Sequence, residues 1–304
     1  LFHDVMEAFA AGILAEERDW STVTEAECVS EAGRIVDSLT PELMGGVFES
    51  THRYRHLAGR IKGIAAKALW MAACQLQKGE FTPVAVEQTF GPGREDTYPP
   101  IRVTLADGRV VHLTGRIDRL DAWTDAGGAE HLRVVDYKSG PKDWALYQVL
   151  YGVNLQLMVY MNAVLSERAR GGRPARPAAA LYFHIDDPIV QSDGDIIEEI
   201  ENQIRRKFRM DGLVIRDAAI VRAMDREPED PTVLTARLKK DGDFYAGSHV
   251  ADHEEYALVL DYVMDKAAQL SERLLRGEIE IAPVREKKRT ACAFCDYASI
   301  CRFD

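Results

Sequence analysis

The order of patterns along this chain predicts an α/β fold, with helices flanking a mixed central sheet. Three observations carry that prediction. Helical spacing of apolar residues runs through most of the first eighty residues. Short β-rich runs separated by turn signals fill the stretch from Phe81 to Lys138. A long helical pattern at 144–166 then precedes another apolar run at Ala178–Ile185.

Leu1 to Phe9 places apolar residues at 1, 2, 5, 6 and 9, which is helical spacing, and His3 falls on the other face near Glu7. Residues 24–38 and 56–78 are helical by the same test. His52 and His56 have the i,i+4 spacing of zinc ligands, but no acid or cysteine accompanies them, so they read as ordinary polar residues. The character changes at Gly79. Phe81–Phe90 is β-rich, contains Glu87 and ends at Gly91-Pro92-Gly93. Ile101–Leu105 and Val110–Leu113 flank Ala106-Asp107-Gly108-Arg109, a hairpin signal.

The segment 144–166 is expected to be one helix interrupted only by Gly152, with Gln156 and Tyr160 on one face. Gly171-Gly172-Arg173-Pro174 breaks the chain before the strand Ala178–Ile185. Residues 196–225 begin as a helix leading into Gly212-Leu213-Val214. Residues 231–249 are expected to hold a strand, a turn at Lys240-Asp241-Gly242-Asp243 and a loop. Residues 251–276 form a helix capped by Gly277. No internal repeat or low-complexity tract is present.

With 304 residues, 46% apolar and 29% charged, the chain is globular and long enough for a substantial core. Its apolar runs fall short of the about 18 residues of a membrane span, and no signal peptide is visible. It starts at Leu1 inside an amphipathic pattern, and so reads as a piece of a longer protein. The net charge of −11 argues against broad adhesion to nucleic acid but is compatible with a local basic groove. Candidate clusters are Arg53/Arg55/Arg60/Lys62/Lys67, Arg205/Arg206/Lys207/Arg209 and Arg285/Lys287/Lys288/Arg289; each reads first as a solvated face. Five cysteines are not a disulfide framework. Cys292, Cys295 and Cys301 cluster with C-x2-C-x5-C spacing, which suits metal ligation, while Cys28 and Cys74 stand alone.

The chemistry concentrates in Gly115-Arg116-Ile117-Asp118-Arg119 and Val134-Val135-Asp136-Tyr137-Lys138-Ser139-Gly140, joined through Gly127-Gly128. Asp118 and Asp136 are equidistant from Gly127. A hairpin closing there in regular register makes the two carboxylates cross-strand neighbours, roughly 5 Å apart at Cβ. Asp136 and Lys138 share a strand face. Adjacent carboxylates repel unless a cation lies between them. With a lysine beside them they suit metal-assisted phosphodiester hydrolysis, with Mg²⁺ as the hard cation.

These stretches, with Gly152-Val153-Asn154-Leu155-Gln156-Leu157-Met158-Val159-Tyr160 and Leu1-Phe2-His3, resemble the RecB-type branch of the PD-(D/E)xK nucleases. The tail from Cys292 to Asp304, Gly212-Leu213-Val214, Met224-Asp225 and Gly277 with Pro283 resemble the C-terminal nuclease domain of the AddB family. The resemblance spans nearly the whole chain. It implies a restriction-endonuclease-like core at 81–190, a helical N-terminal part at 1–80 carrying His3, and a helical C-terminal extension at 191–304 carrying the cluster cysteines, all within one nuclease domain. It implies that His3, Asp118, Asp136 and the Tyr137 carbonyl hold Mg²⁺ or Mn²⁺, that Lys138 is the catalytic lysine, and that Gln156 and Tyr160 line the DNA side. Glu87 is a further candidate.

The family binds a [4Fe–4S] cluster through four cysteines. Cys292, Cys295 and Cys301 match three, and the fourth is expected upstream of Leu1, so the cluster set is incomplete here. Cys28 and Cys74 are candidate substitutes, although Cys74 sits in an apolar helix, and zinc is the alternative metal. The resemblance further implies a bacterial cytoplasmic enzyme of homologous recombination that cuts the unwound 5′-ended DNA strand beside an AddA-type helicase–nuclease partner. Two alternatives stay open: a standalone iron–sulfur exonuclease of CRISPR type, and an inactive nuclease fold used as a DNA-binding module.

Overall fold

A computed structural model of the chain describes residues 1–41, 52–93, 97–140, 142–188, 197–286 and 289–303. Helix α1 (Phe2–Ala15) buries Val5, Met6, Phe9, Ala10 and Ile13, the stripe expected from its apolar spacing. Helix α2 (Glu25–Leu39) starts at Thr24, whose hydroxyl accepts the Glu27 N–H, and buries Cys28, Ala32, Ile35 and Val36. Helix α3 (His52–Gln77) packs along α2 and against α1.

Six strands form the central sheet among the described residues, in the order β1-β4-β5-β6-β7-β8. They are β1 (Thr82–Phe90), β4 (Gly115–Thr124), β5 (Glu130–Lys138), β6 (Arg176–His184), β7 (Asp211–Ile215) and β8 (Val250–Ala251). The short strands β2 (Ile101–Thr104) and β3 (Val110–Leu113) make a separate hairpin at the predicted turn. Neighbours are antiparallel except β5–β6 and β7–β8, so the sheet is mixed, as expected. The parallel β5–β6 pair is joined through α4 (Leu146–Leu150) and α5 (Gln156–Arg170), the crossover that parallel strands require.

Side chains alternate across β5, and that alternation defines two layers. Lys138 faces α5 and hydrogen-bonds its Gln156. Tyr137 faces the other way and packs on Phe183, which in turn meets Phe208. The Phe208 carbonyl accepts a hydrogen bond from Gln75 of α3. Later elements complete the frame: α6 (Ile197–Lys207), α7 (Ala218–Met224) and α8 (His253–Leu275). Helix α8 opens with a capping box between Asp252 and Glu255 and packs on α5. Strands β7 and β8 lie within residues 211–251, so the C-terminal third completes the same sheet. The tail carries β9 (Arg285–Glu286), β10 (Arg289–Thr290), a 3-10 turn at Ala291–Phe294 and α9 (Ala298–Cys301).

Two sequence expectations are corrected. Residues 144–166 are not one helix. Helix α4 stops at Leu150, Gly152 takes φ +75, and the N–H groups of Val153 and Asn154 fold back to the Gln148 carbonyl. A Cβ on Gly152 would lie 3.1 Å from Leu270 Cδ1 of α8, so glycine also permits the close approach of that helix. Gln156 thereby becomes the first residue of α5. The segment 231–249 holds only the isolated bridges of Leu234 and Leu238 in place of a strand. The buried Asp225 carboxylate takes the N–H groups of Thr232 and Val233, diverting them from a strand ladder.

Backbones come into close approach at Gly212, where an added Cβ would sit 2.0 Å from the Ala180 carbonyl oxygen. The Gly212→Ala variant is therefore expected to lose at least about 3 kcal/mol in urea unfolding, the upper end of overpacking costs. Gly12→Ala, in α1 with nothing within 4 Å of the new methyl, should gain about 0.4–1 kcal/mol in the same measurement. A Gly212→Ala midpoint equal to wild type would contradict the β6–β7 pairing.

Candidate functional site

Strand register builds the site. The pairs Val86↔Arg119 and Gln88↔Ile117 set Glu87 of β1 beside Asp118 of β4. Continuing Arg119↔Val135 by one residue sets Asp118 beside Asp136 of β5, the neighbour relation expected from the symmetry about Gly127. Asp136 in turn pairs with Tyr182 of β6. Three acids thus lie in a row across three strands. Glu87 has φ +48, an uncommon left-handed backbone for a side-chain-bearing residue.

Helix α1 leans on β1 and delivers His3 to Asp118, the middle acid of this row. Its Nε2–H donates to the Tyr137 carbonyl at 2.8 Å and lies 3.5 Å from Asp118 Oδ2. Asp118 Oδ2 also accepts the Tyr137 N–H at 2.6 Å. Lys138 Nζ is 2.5 Å from Asp136 Oδ2 and donates to Gln156 Oε1 at 3.1 Å. Gln156 Nε2 then donates to the Tyr160 hydroxyl at 2.8 Å, and Tyr160 is held edge-on by Phe90. The structure therefore brings His3, Asp118, Asp136, Tyr137, Lys138, Gln156, Tyr160 and Glu87 into one contiguous network.

The acids are short of compensating charge. Burial, with Asp118 nearby, pushes the Asp136 carboxyl up to about 6 despite Lys138. Burial and Asp118 push Glu87 up to about 7, against the pull of Arg116, whose Nε is 2.5 Å from Glu87 Oε2. The hydrogen bond to Asp118 is the largest influence raising His3. Both Glu87 oxygens and Asp136 Oδ2 are buried yet accept no well-aligned hydrogen bond; each carboxylate has only its ionic contact. Asp136 Oδ2 and Glu87 Oε2 have their cations in Lys138 and Arg116, whereas Glu87 Oε1 is buried with no hydrogen-bond donor and leaves room for a further cation.

The donor chemistry fits a hard divalent ion: carboxylates, one carbonyl and one imidazole. The 2.8 Å and 3.5 Å separations from His3 Nε2 to Tyr137 O and Asp118 Oδ2 bracket the ~3 Å between neighbouring ligands of an octahedral ion bound at 2.0–2.1 Å. Among the described residues no three His, Cys, Asp or Glu side chains converge on one point. Asp136 is turned to Lys138, and the third donor near His3 and Asp118 belongs to the backbone.

Beneath the row, on the opposite sheet face, lies a buried ionic cluster. Asp121 is held by Arg119 at 3.0 Å and Arg133 at 2.8 Å, all with side chains at most 1% exposed. Arg119 Nη1 also reaches the Tyr137 hydroxyl at 3.5 Å. The motif residues Asp118 and Tyr137 are thus tied to the core from below.

The other predicted groups have separate places. Cys292 and Cys301 are half-buried, Cys295 is exposed, and all three are free thiols. Cys28 and Cys74 are buried in α2 and α3, where burial pushes their thiols up to about 12 and about 11, so they are protonated core residues. Many basic side chains are matched internally: Lys62 with Asp37, Arg60 and Lys67 with Asp187, and Arg206 with Asp230. Lys287, Lys288 and Asp304, and the side chains of His52, Arg55 and Arg289, lie outside what the structure describes. An apolar cleft of about 380 Å³ near Val29, Trp70 and Ile204 contains none of the acids in the row.

Sequence reading missed Arg116 as the partner of Glu87, and Asn154, which accepts the Tyr182 hydroxyl at 2.6 Å. It also missed Tyr182 and Lys142. Tyr182 looks like one more apolar strand residue, and its position opposite Asp136 emerges only from the parallel pairing. The one available signal for Lys142 was its place four residues beyond Lys138.

A model of the PD-(D/E)XK nuclease superfamily matches residues 1–302. An ATP-dependent helicase/deoxyribonuclease subunit from Alkaliphilus metalliredigens is 37% identical over 306 residues, covering 100% of this chain and 26% of that protein. Proteins of the same name from Caldanaerobacter subterraneus and Clostridium tetani are 36% and 37% identical, with 99% and 100% of this chain covered. The chain spans 26% of the length of these relatives. With its whole described sheet inside the match, the chain belongs to the PD-(D/E)XK nuclease superfamily.

Proposed function

We propose that this chain is the metal-dependent nuclease domain of an AddAB-type helicase–nuclease, hydrolysing phosphodiester bonds of the unwound 5′-ended DNA strand during recombinational repair. The single observation that carries the reading is the row Glu87–Asp118–Asp136 with Lys138 at its end, in a chain of this superfamily. The match of relatives over essentially the full chain favours this over a standalone CRISPR-type exonuclease. The relatives' name supplies the DNA substrate and the helicase context; an AddA-type partner and a cytoplasmic location follow from the same reading. No helix among the described residues is long and apolar enough to cross a membrane.

In this reading His3, Asp118, Asp136 and the Tyr137 carbonyl hold Mg²⁺ or Mn²⁺. The ion supplies a lowered pKa for bound water and charge stabilisation at the phosphorus. The chain's own groups do the rest. Tyr137 N–H fixes the Asp118 carboxylate, and His3 closes the site from α1. Lys138, steered by Asp136 and Gln156, places an ammonium where negative charge grows on the phosphoryl oxygens. Gln156 spends its amide on Lys138 and Tyr160, which leaves the Tyr160 hydroxyl proton free to face the strand. Glu87, beside Asp118 on the neighbouring strand with its carboxyl raised to about 7 by burial, assists the row from β1.

Cys292, Cys295 and Cys301 are assigned to a [4Fe–4S] cluster whose fourth ligand lies elsewhere in the protein. Free thiols within one short tail suit the role, whereas Cys28 and Cys74 are committed to the core.

The enzyme reading is tested with labelled single-stranded DNA and Mg²⁺. Wild type is expected to cleave, while Asp136→Ala and Lys138→Ala should each lose about 10²–10³-fold or more in rate. Cleavage retained in both variants removes the site assignment, and absence of cleavage by wild type favours a DNA-binding module. For the tail, metal analysis of the intact protein should find iron and a visible absorbance band, both lost in Cys295→Ala; zinc in place of iron contradicts the cluster.

A further inference from the structure

Beside the acid row, at the C-terminal ends of β5 and β6, is a cleft of about 290 Å³. Lys138 and His184, opposite one another in the parallel register, line it together with Lys142, Lys207, Asp143 and Asp186. The walls are anchored: Ile185 N–H donates to the Lys138 carbonyl at 2.8 Å, His184 Nδ1 lies 3.2 Å from the Gly140 carbonyl, and Trp144 N–H donates to Asp211 Oδ2 at 3.1 Å. The cleft is therefore built by strand ends and pinned loops.

Two of its cations, Lys142 and Lys207, are not held in an ion pair among the described residues, although Asp143 and Asp186 line the same cleft. Lys138 and Lys142 both place Nζ over the Tyr182 ring, at 5.5 and 5.8 Å from its centre. Two ammonium groups drawn to one ring repel each other, and Lys138 is already engaged by Asp136 and Gln156. Neither Lys142 nor Lys207 has a salt-bridge partner among the described residues, unlike the paired lysines 62, 67 and 78. Burial, and then Lys138, hold the Lys142 amine below its usual range, against the pull of Asp136. The ring cannot move away, because Tyr182 is fully buried and its hydroxyl is bound to Asn154.

We propose that this cleft is a second phosphate subsite, in which Lys142 and Lys207 bind the backbone phosphate of the DNA strand next to the one being cut. The subsite rests on the nuclease reading for its orientation: Lys138 lies on the border, touching the scissile phosphate on one side and opening onto the cleft on the other. Its ligand is a phosphodiester of a single strand, recognised by charge and independent of base. It holds the strand in register with the acid row, so that binding free energy along the backbone positions the reacting bond.

The test is strand binding by the intact protein, using a fluorescent single-stranded oligonucleotide with Ca²⁺ in place of Mg²⁺, followed by anisotropy over a salt series. Each phosphate neutralised on a single strand contributes about 0.7 to the slope of log K against log salt. Lys142→Gln and Lys207→Gln are each expected to reduce the slope by about that amount. Lys142→Arg, which keeps the charge, should restore the wild-type slope, and Lys240→Gln, at a lysine that does not line the cleft, should leave it unchanged. A wild-type slope in both Lys142→Gln and Lys207→Gln overturns the subsite. Loss that Lys142→Arg does not restore also overturns it, because the residue then acts through the fold. The two readings separate cleanly: a charge-dependent slope in a protein that never cleaves keeps the subsite and removes the nuclease reading. Cleavage by wild type with no slope change in the glutamine variants does the reverse.

Discussion

The β1–β4–β5 register puts Glu87, Asp118 and Asp136 side by side, and each other functional group is placed relative to that row. A slip of one residue in any of the three strands would turn its acid to the opposite sheet face. What prevents the slip is below the row. Arg119 and Asp121 on β4 and Arg133 on β5 lock together in the core, and removing the central Asp121 would leave two buried guanidinium groups without a carboxylate. Breaking a buried ionic set in this way costs about 3–5 kcal/mol. The same cluster touches the Tyr137 hydroxyl, while the Tyr137 backbone serves Asp118 through its N–H and His3 through its carbonyl. One residue thus couples the core beneath the sheet to the polar site above it.

Charge balance then explains why the site is poised and not collapsed. Three carboxylates share two adjacent permanent cations, Arg116 and Lys138, at the two ends of the row. Burial raises Asp136 and Glu87, and the neighbouring Asp118 adds to the rise in both. A divalent cation near Asp118 would relieve that imbalance and draw Asp136 away from Lys138, freeing the ammonium for substrate. In the neighbouring cleft Lys142 and Lys207 make no salt bridge among the described residues, although Asp143 and Asp186 also line it. A strand lying across both would meet metal and phosphate-binding groups in succession.

Local features were legible in the sequence. The hairpin symmetry about Gly127 located Asp118 opposite Asp136, and the apolar stripe of α1 and the glycine stop of α8 at Gly277 were readable from the sequence pattern. Features set by distant packing were not. The alignment of Glu87 with Asp118 depends on a register shift between Pro83 and Ala85 that no spacing rule reports. His3 reaches Tyr137 across 134 positions, and only the family resemblance pointed to it. The break at Gly152 follows from the approach of α8, and the missing strand at 231–249 follows from Asp225 capturing its amides. Lys142 went unnoticed because its meaning comes from Tyr182 on the neighbouring parallel strand.

Manganese binding followed by electron paramagnetic resonance examines the acid row most directly, because it reads the site without requiring turnover. The geometry predicts a tight Mn²⁺ site in wild type that disappears in Asp136→Ala and weakens by at least about tenfold in His3→Ala. Equal Mn²⁺ affinity in wild type and both variants would contradict the assignment of His3, Asp118 and Asp136 to one metal centre.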